Sequence, residues 1–385
     1  MKPKLRTWLV RLMFVAFCLV SVEIVSQLAY RLYKGSWYWV DRKTSPQGML
    51  LAHPFFGCAL VPNVATERNG VRIHHNSFGL RGPEFARPNP HTRTRVATLG
   101  GSTTYCVGVS DGETWQDFVG QNLGQSYELI NMGGAGIGTS IETMVESALL
   151  FSDIEPDIAI YHLGWNDARV QHVEGLTGDW VQMARPWATS LAANAREMRE
   201  RTATGYLVKR ALFHIFFPGM EGDKALRNLR GTPDALTGKV DLKALGHYER
   251  NLRSIVAVCR SQRIEPMFVP QILNYRVLTN DTPYGWLPFV RDRDLQKLLE
   301  AYNATMERVA KEQGVTYVRE VLDCRYEPAD FIDNGHFSPS GHRKFAAALA
   351  PELARVALRR SASKAAANEA VSSANAKPPG PGPAP

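Results

Sequence analysis

The sequence predicts an α/β protein, a three-layer α/β/α sandwich with a central, mostly parallel five-stranded sheet, preceded by an N-terminal transmembrane helix. Three observations lead there. Short apolar runs alternate with longer helical stretches through most of the chain, which argues for a parallel sheet with helices on both faces. At least one glycine follows closely on each of the first three of those runs. Near the N-terminus, one long apolar stretch carries a single charge.

That stretch, "LMFVAFCLVSVEIVSQLAY" (Leu12–Tyr30), contains only Glu23 as a charged residue. A helix of this length rises about 28 Å, roughly one bilayer core. Lys2, Lys4, Arg6 and Arg11 precede it, and Arg31, Lys34, Arg42 and Lys43 follow, so the charge bias weakly favours an inside N-terminus. No small-residue cleavage pattern follows, which favours an uncleaved anchor over a removed signal peptide. The competing reading is an interfacial helix. Glu23 is costly near the bilayer centre unless it is protonated or paired.

Residues 1–33 thus read as a cytoplasmic stub and anchor, and 34–90 as an irregular or short-stranded lead-in. The strand-like runs are Val96–Leu99, Leu129–Asn131, Ile158–Leu163, Pro266–Pro270 and Val315–Val318. Helical patterns lie at Thr114–Leu123, Ser140–Phe151, Leu242–Arg260, Arg293–Gln313 and from Pro339 to about Arg359. The main globular domain is expected to span 91–359, with a helical insertion at about 168–239 after the third strand as a cover. The tail, 360–385, is small, polar and rich in Pro and Gly, so it is expected to be disordered.

The formal charge of +8 is modest for 385 residues, and Lys and Arg are scattered. The one basic cluster in a loop-like context, "HTRTR" (His91–Arg95), has no interleaved aromatic residues. A solvated surface is expected there, and no nucleic-acid partner. The five cysteines form no CxxC pair and no ligand-like spacing with His, so no metal site or cofactor is implied. Cys58, Cys106, Cys259 and Cys324 could make two bridges in an oxidising compartment, but free, buried thiols are preferred. The pair His74-His75 has no acidic or Cys ligand near it in sequence.

The chemistry lies at the ends of the strands. The first run ends in Gly100-Gly101-Ser102-Thr103, the second in "NMGGAGIGTS" (Asn131–Ser140), the third in "HLGWND" (His162–Asp167). "DNGHFSPSGH" (Asp333–His342) precedes the last helix. A phosphate loop is excluded, because GxxxxGK[ST] is absent and "GGAGIG" lacks the GxGxxG spacing. A serine at this position can instead act as a nucleophile if a base takes its proton.

These blocks, in this order, resemble the SGNH (GDSL-type) hydrolase superfamily from about Val96 to Ala357. The upstream "GLRGPE" and the single anchor look like its membrane-attached bacterial members. The resemblance implies a flavodoxin-like fold and a serine esterase. By position, Ser102 matches the nucleophile and Asp333 and His336 the acid–base pair. Ser102, Gly136 and Asn166 match the oxyanion hole. Gly101 stands where the family often has Asp, which removes a polar group that helps to order the loop. Trp165 either stacks on a sugar or acyl group or packs in the core. Arg81 either binds an anion or pairs with a carboxylate such as Glu84. His342 is a rival base, but Ser338-Pro339 places it inside the helix, where a structural role is expected. Asp167 is expected to hold the turn, and Cys106 to pack.

The resulting expectation is a membrane-anchored esterase of the bacterial inner membrane, single-pass, with its catalytic domain in the periplasm. Its substrate would be an acyl ester, acetyl foremost, on a cell-surface glycan. The alternatives are an O-acyltransferase acting on an exopolysaccharide with the same triad, and a polysaccharide-binding scaffold without turnover.

Overall fold

The computed structural model describes residues 3–35, 37–41, 49–53, 57–68, 70–134, 138–168, 202–216, 238–274, 287 and 290–375. Helix α1 (Pro3–Lys34) is followed by the short α2 (Tyr38–Asp41). Two antiparallel hairpins come next, β1 (Leu50–His53) with β2 (Gly57–Leu60) and β3 (Ala65–Arg68) with β4 (Val71–His74). The lead-in is therefore short-stranded.

The central sheet comprises β5 (Thr94–Gly100), β6 (Tyr127–Asn131), β7 (Ile158–His162), β8 (Glu265–Val269) and β9 (Thr316–Tyr317). Its order is β6-β5-β7-β8-β9, and every pairing is parallel. Alternation along the strands splits the apolar runs between two cores. Val96, Ile158, Ile160, Met267 and Val269 point to one face, and Ala97, Leu99, Ala159, Tyr161 and Phe268 to the other. Both faces need cover, which is why these strands read as continuous apolar runs.

The first face is covered by α4 (Trp115–Leu123) and α11 (Pro339–Asn375), through residues such as Trp115, Phe118, Phe345 and Leu349. The opposite face carries α5 (Ser140–Ile154), α8 (Leu242–Ser261) and α9 (Leu295–Gln313). Thr114 with Asp117 and Thr139 with Glu142 form capping boxes that start α4 and α5. Gly314, at φ +63°, ends α9 in the left-handed conformation. Three short helices complete the sheet-end loops: α3 (Ser102–Tyr105), α6 (Trp165–Ala168) and α10 (Glu320–Asp323). The strand order reverses beside β5, so its carboxyl end opens into a crevice between neighbouring loops.

Two expectations change. Helix α11 runs on to Asn375, so 361–375 is helical where disorder was expected; "SASKAAANEA" is rich in Ala, the strongest helix former. Arg95, placed on a solvated surface by the sequence, is wholly buried. Its guanidinium donates to Glu128 at 2.7 Å and to the carbonyls of Ile154 and Ala86 at 2.7 and 2.9 Å, and these acceptors offset the cost of burying the charge. Of the insertion, the helix α7 (Ala203–Phe216) is described; most of the remainder lies outside the described residues.

Helix α1 is long and apolar enough to cross a membrane over Arg6–Lys34, with a mean hydropathy of 2.2 in its most apolar window. Glu23 is paired with the start of another helix. Its carboxylate accepts from the N–H groups of Ala203 and Thr204 at 2.8 and 3.0 Å and from the Thr204 hydroxyl at 2.8 Å. It thereby caps the first turn of α7, whose N–H groups have no partner within the helix.

Candidate active site

Ser102 is the first residue of α3, directly after β5 and Gly101. The turn is tight. A Cβ at Gly100, which sits at φ +153°, would overlap the Thr104 hydroxyl and the His162 carbonyl. Gly101 takes the N-cap position, so no side chain caps the start of α3. As the first residue of a helix, Ser102 has an N–H without an intrahelical acceptor, so it is a potential oxyanion donor.

The loop after β6 lies against this turn. Gly134 donates to the Gly100 carbonyl at 3.0 Å. Gly138, at φ +107°, approaches Gly100 so closely that a Cβ would run into the Gly100 carbonyl. Gly136 lies outside the described residues.

Register brings in the third block. Gly100 pairs with His162, so the chain leaving β5 toward Ser102 and the chain leaving β7 toward Asn166 emerge side by side. Gly164, at φ +132°, makes the bend before α6, and Asn166 is buried within that helix.

The fourth block closes the site from the start of α11. The Asp333 carboxylate accepts from the N–H groups of Gly335 and His336 at 2.9 and 2.8 Å and lies 2.7 Å from His336 Nδ1. The other ring nitrogen, Nε2, is 2.7 Å from Ser102 Oγ. Since a carboxylate only accepts, Nδ1 carries the proton in the neutral ring and Nε2 is left as the base toward Ser102. Burial pushes the Asp333 carboxyl up, but the His336 ring and the two backbone N–H groups outweigh it and hold the group below its ordinary value. The loop is tied down elsewhere, because Asn274 N–H donates to the Asn334 carbonyl at 2.9 Å and Ile332 N–H to that of His336 at 2.9 Å.

The remaining candidates take other places. Trp165 is only 6% exposed, belongs to the core, and directs its indole N–H toward the Ile272 carbonyl at 3.4 Å. It is not placed to stack on a ligand. Arg81 is 3% exposed and bonds to Asp111 and to three carbonyls of the segment after Ser102. It is not available to a substrate anion, and its carboxylate partner is Asp111; Glu84 accepts from Ser77 instead. His342 is buried within α11, its ring nitrogens without hydrogen-bond partners among the described residues. Cys106 is a fully buried thiol, pushed up to about 12 by burial, and it donates to the Thr104 carbonyl at 3.2 Å. Cys18, Cys106, Cys259 and Cys324 are free thiols. His75 places one ring nitrogen 2.9 Å from the Val61 carbonyl and the other 2.7 Å from the Tyr105 hydroxyl.

Sequence reasoning missed the reach of Asp167. Its carboxylate accepts from Ser140 N–H at 3.0 Å and from Ser140 Oγ at 2.5 Å, tying the start of α5 to the helix that carries Asn166. The adjacency of Asn166 and Asp167 hinted at a turn, but the partner 27 residues away had no local signal.

The profile of the GDSL-like lipase/acylhydrolase family matches residues 98–344, well over half of the chain. A search of curated proteins finds no match. Among solved structures, a GDSL-like lipase from Bacteroides thetaiotaomicron is 14% identical, with 71% of this chain and 93% of that one covered and a TM-score of 0.40. The M. smegmatis aryl esterase is 14% identical, with 68% and 99% covered and a TM-score of 0.41. An acetyl-xylooligosaccharide esterase from Geobacillus is 17% identical, with 67% and 93% covered and a TM-score of 0.37. The assignment rests on the profile, whose match runs from the strand before Ser102 through the loop holding Asp333 and His336: the chain belongs to the GDSL-like lipase/acylhydrolase family.

Proposed function

We propose that this chain is a membrane-anchored serine esterase that removes small acyl groups, acetyl foremost, from cell-surface glycans. The observation that carries the reading is the unbroken relay of 2.7 Å contacts from Ser102 Oγ through His336 to Asp333.

In the proposed reaction Ser102 Oγ attacks the ester carbonyl while His336 Nε2 takes its proton. Asp333 holds the Nδ1–H and stabilises the imidazolium as it forms. The carbonyl oxygen becomes an oxyanion, met by the Ser102 N–H, the Asn166 amide and, from the loop after β6, Gly136. His336 then returns the proton to the leaving alkoxide. Water, deprotonated by the same nitrogen, cleaves the acyl-enzyme and regenerates Ser102.

Two features support retention of α1 as an anchor. Over Trp8–Val22 its large apolar side chains are exposed. From Glu23 onward it holds tertiary contacts, with Glu23 capping α7 and Tyr30 packed edge-on against Tyr38 and Tyr206. A segment discarded after export would leave that cap and that cluster unmade. A domain tethered in this way meets its substrates at the membrane face, which is why glycan esters are favoured over soluble ones.

The test uses the full chain in detergent, with and without Ser102→Ala. Hydrolysis of p-nitrophenyl acetate and acetate release from acetylated xylan, both abolished by the substitution, are expected. Acyl-enzyme that turns over only when sugar acceptors are added would reassign the chain as an O-acyltransferase. Absence of any Ser102-dependent acylation would refute the catalytic reading.

A further inference from the structure

The segment ahead of the sheet has no part in the relay, yet one of its side chains reaches the nucleophile turn. Arg81 spends every guanidinium nitrogen there. Nη1 donates to the carbonyls of Tyr105 and Cys106, both at 2.7 Å, Nη2 to that of Val109 at 2.7 Å, and Nε to Asp111 at 2.8 Å. Tyr105 is the last residue of α3, and Cys106, its C-cap, is held at φ +63°.

A helix of four residues cannot satisfy its own terminal carbonyls. A non-glycine residue in the left-handed region persists only where its surroundings impose it. Arg81 supplies both the donors and the constraint, through a planar fork that a lysine does not have. Its guanidinium also stands 5.1 Å from the centre of the Tyr105 ring, whose hydroxyl is fixed by His75. The Arg81 backbone makes a bridge to Asn131, the residue from which the second glycine loop departs.

We propose that Arg81 is a positioning residue, which holds α3 so that Ser102 Oγ stays in line with His336. The lead-in segment is then part of the active site and not a spacer between anchor and enzyme. This inference rests on Ser102 being the nucleophile. Displacing a reacting group by about 1 Å can cost about 10² in rate, so the effect should fall on kcat and spare KM.

The matched control is Arg95, an equally buried arginine bonded to one carboxylate and two carbonyls near the start of β5, the strand that ends at Gly100. Full-length wild type, Arg81→Lys, Arg81→Ala and Arg95→Lys would be compared for kcat and KM on p-nitrophenyl acetate, normalised to folded protein by circular dichroism. Amide hydrogen exchange of the peptide covering Ser102–Gly108 would be read in parallel. Arg81→Lys is expected to lower kcat about 10²-fold with KM within about twofold, and to speed exchange in that peptide. Arg95→Lys is expected to leave both readouts unchanged. Added guanidinium should restore part of the kcat of Arg81→Ala.

Wild-type kcat and wild-type exchange in Arg81→Lys would overturn the proposal, as would an equal loss of kcat in Arg95→Lys. The exchange readout needs no turnover. An inactive wild type would therefore refute the esterase reading, while the response of the peptide to Arg81→Lys would still decide the role of Arg81.

Discussion

Asp167 Oδ1 lies 2.5 Å from Ser140 Oγ, in a fully buried contact that joins the helix bearing Asn166 to the first residue of α5. Asn251 donates to the same Ser140 hydroxyl at 3.0 Å. Burial pushes the Asp167 carboxyl up to about 7, against the pull of the Ser140 hydroxyl and N–H. Asp167→Ala would strand those two donors, and a buried unpaired group costs about 1–3 kcal/mol. Urea unfolding at pH 8 should record a loss of at least that size. An unchanged midpoint would mean that the contact contributes nothing to stability.

The relay predicts a specific defect for Asp333→Asn. The asparagine can keep the loop in place, but it can present an amide N–H toward His336 and favour the wrong tautomer. A loss of about 10⁴ in kcat is expected, the scale seen when the equivalent aspartate of a serine protease is replaced. Steady-state kinetics on p-nitrophenyl acetate would measure it. A loss below tenfold would show that His336 keeps its tautomer without Asp333.

Gly138→Ala tests the packing of the second loop under the nucleophile turn. The new methyl would meet the Gly100 carbonyl, and the φ of +107° is itself costly for alanine. The variant should be less stable, and its kcat should fall more than its KM rises. Wild-type kcat per folded molecule would show that the loop can move aside without disturbing Ser102.

His342 predicts an acid-sensitive fold. Burial, with Arg81, His162 and His336 nearby, drives its imidazole from 6.5 down to about 3. Below about 6.5 the unfolded chain binds a proton that the folded chain refuses, so stability is complete above that value and falls as the pH drops toward 3. One such group costs about 1.4 kcal/mol per pH unit. The stability advantage of wild type over His342→Phe should therefore shrink by about 2 kcal/mol between pH 7.5 and 5. Chemical denaturation at the two pH values would measure it, and an equal difference at both would refute a neutral, buried His342.

The sequence alone determined the layered architecture, because strand and helix periodicity and glycine-marked strand ends are local properties of the chain. Ser102, Asp333 and His336 were legible through the resemblance of the ordered sequence blocks to the SGNH family, because each block is a short-range pattern in the chain. Composition was a poorer guide at the ends. Small polar residues past Arg359 read as disorder, yet their alanine content extends α11 to Asn375. Only the tertiary structure decided what the long-range polar side chains do. Arg81, Arg95, Trp165, Asp167 and Glu23 find acceptors or donors between 24 and 181 residues away. A buried charge or indole bonds to whichever groups the fold brings near it, and no local periodicity encodes that choice.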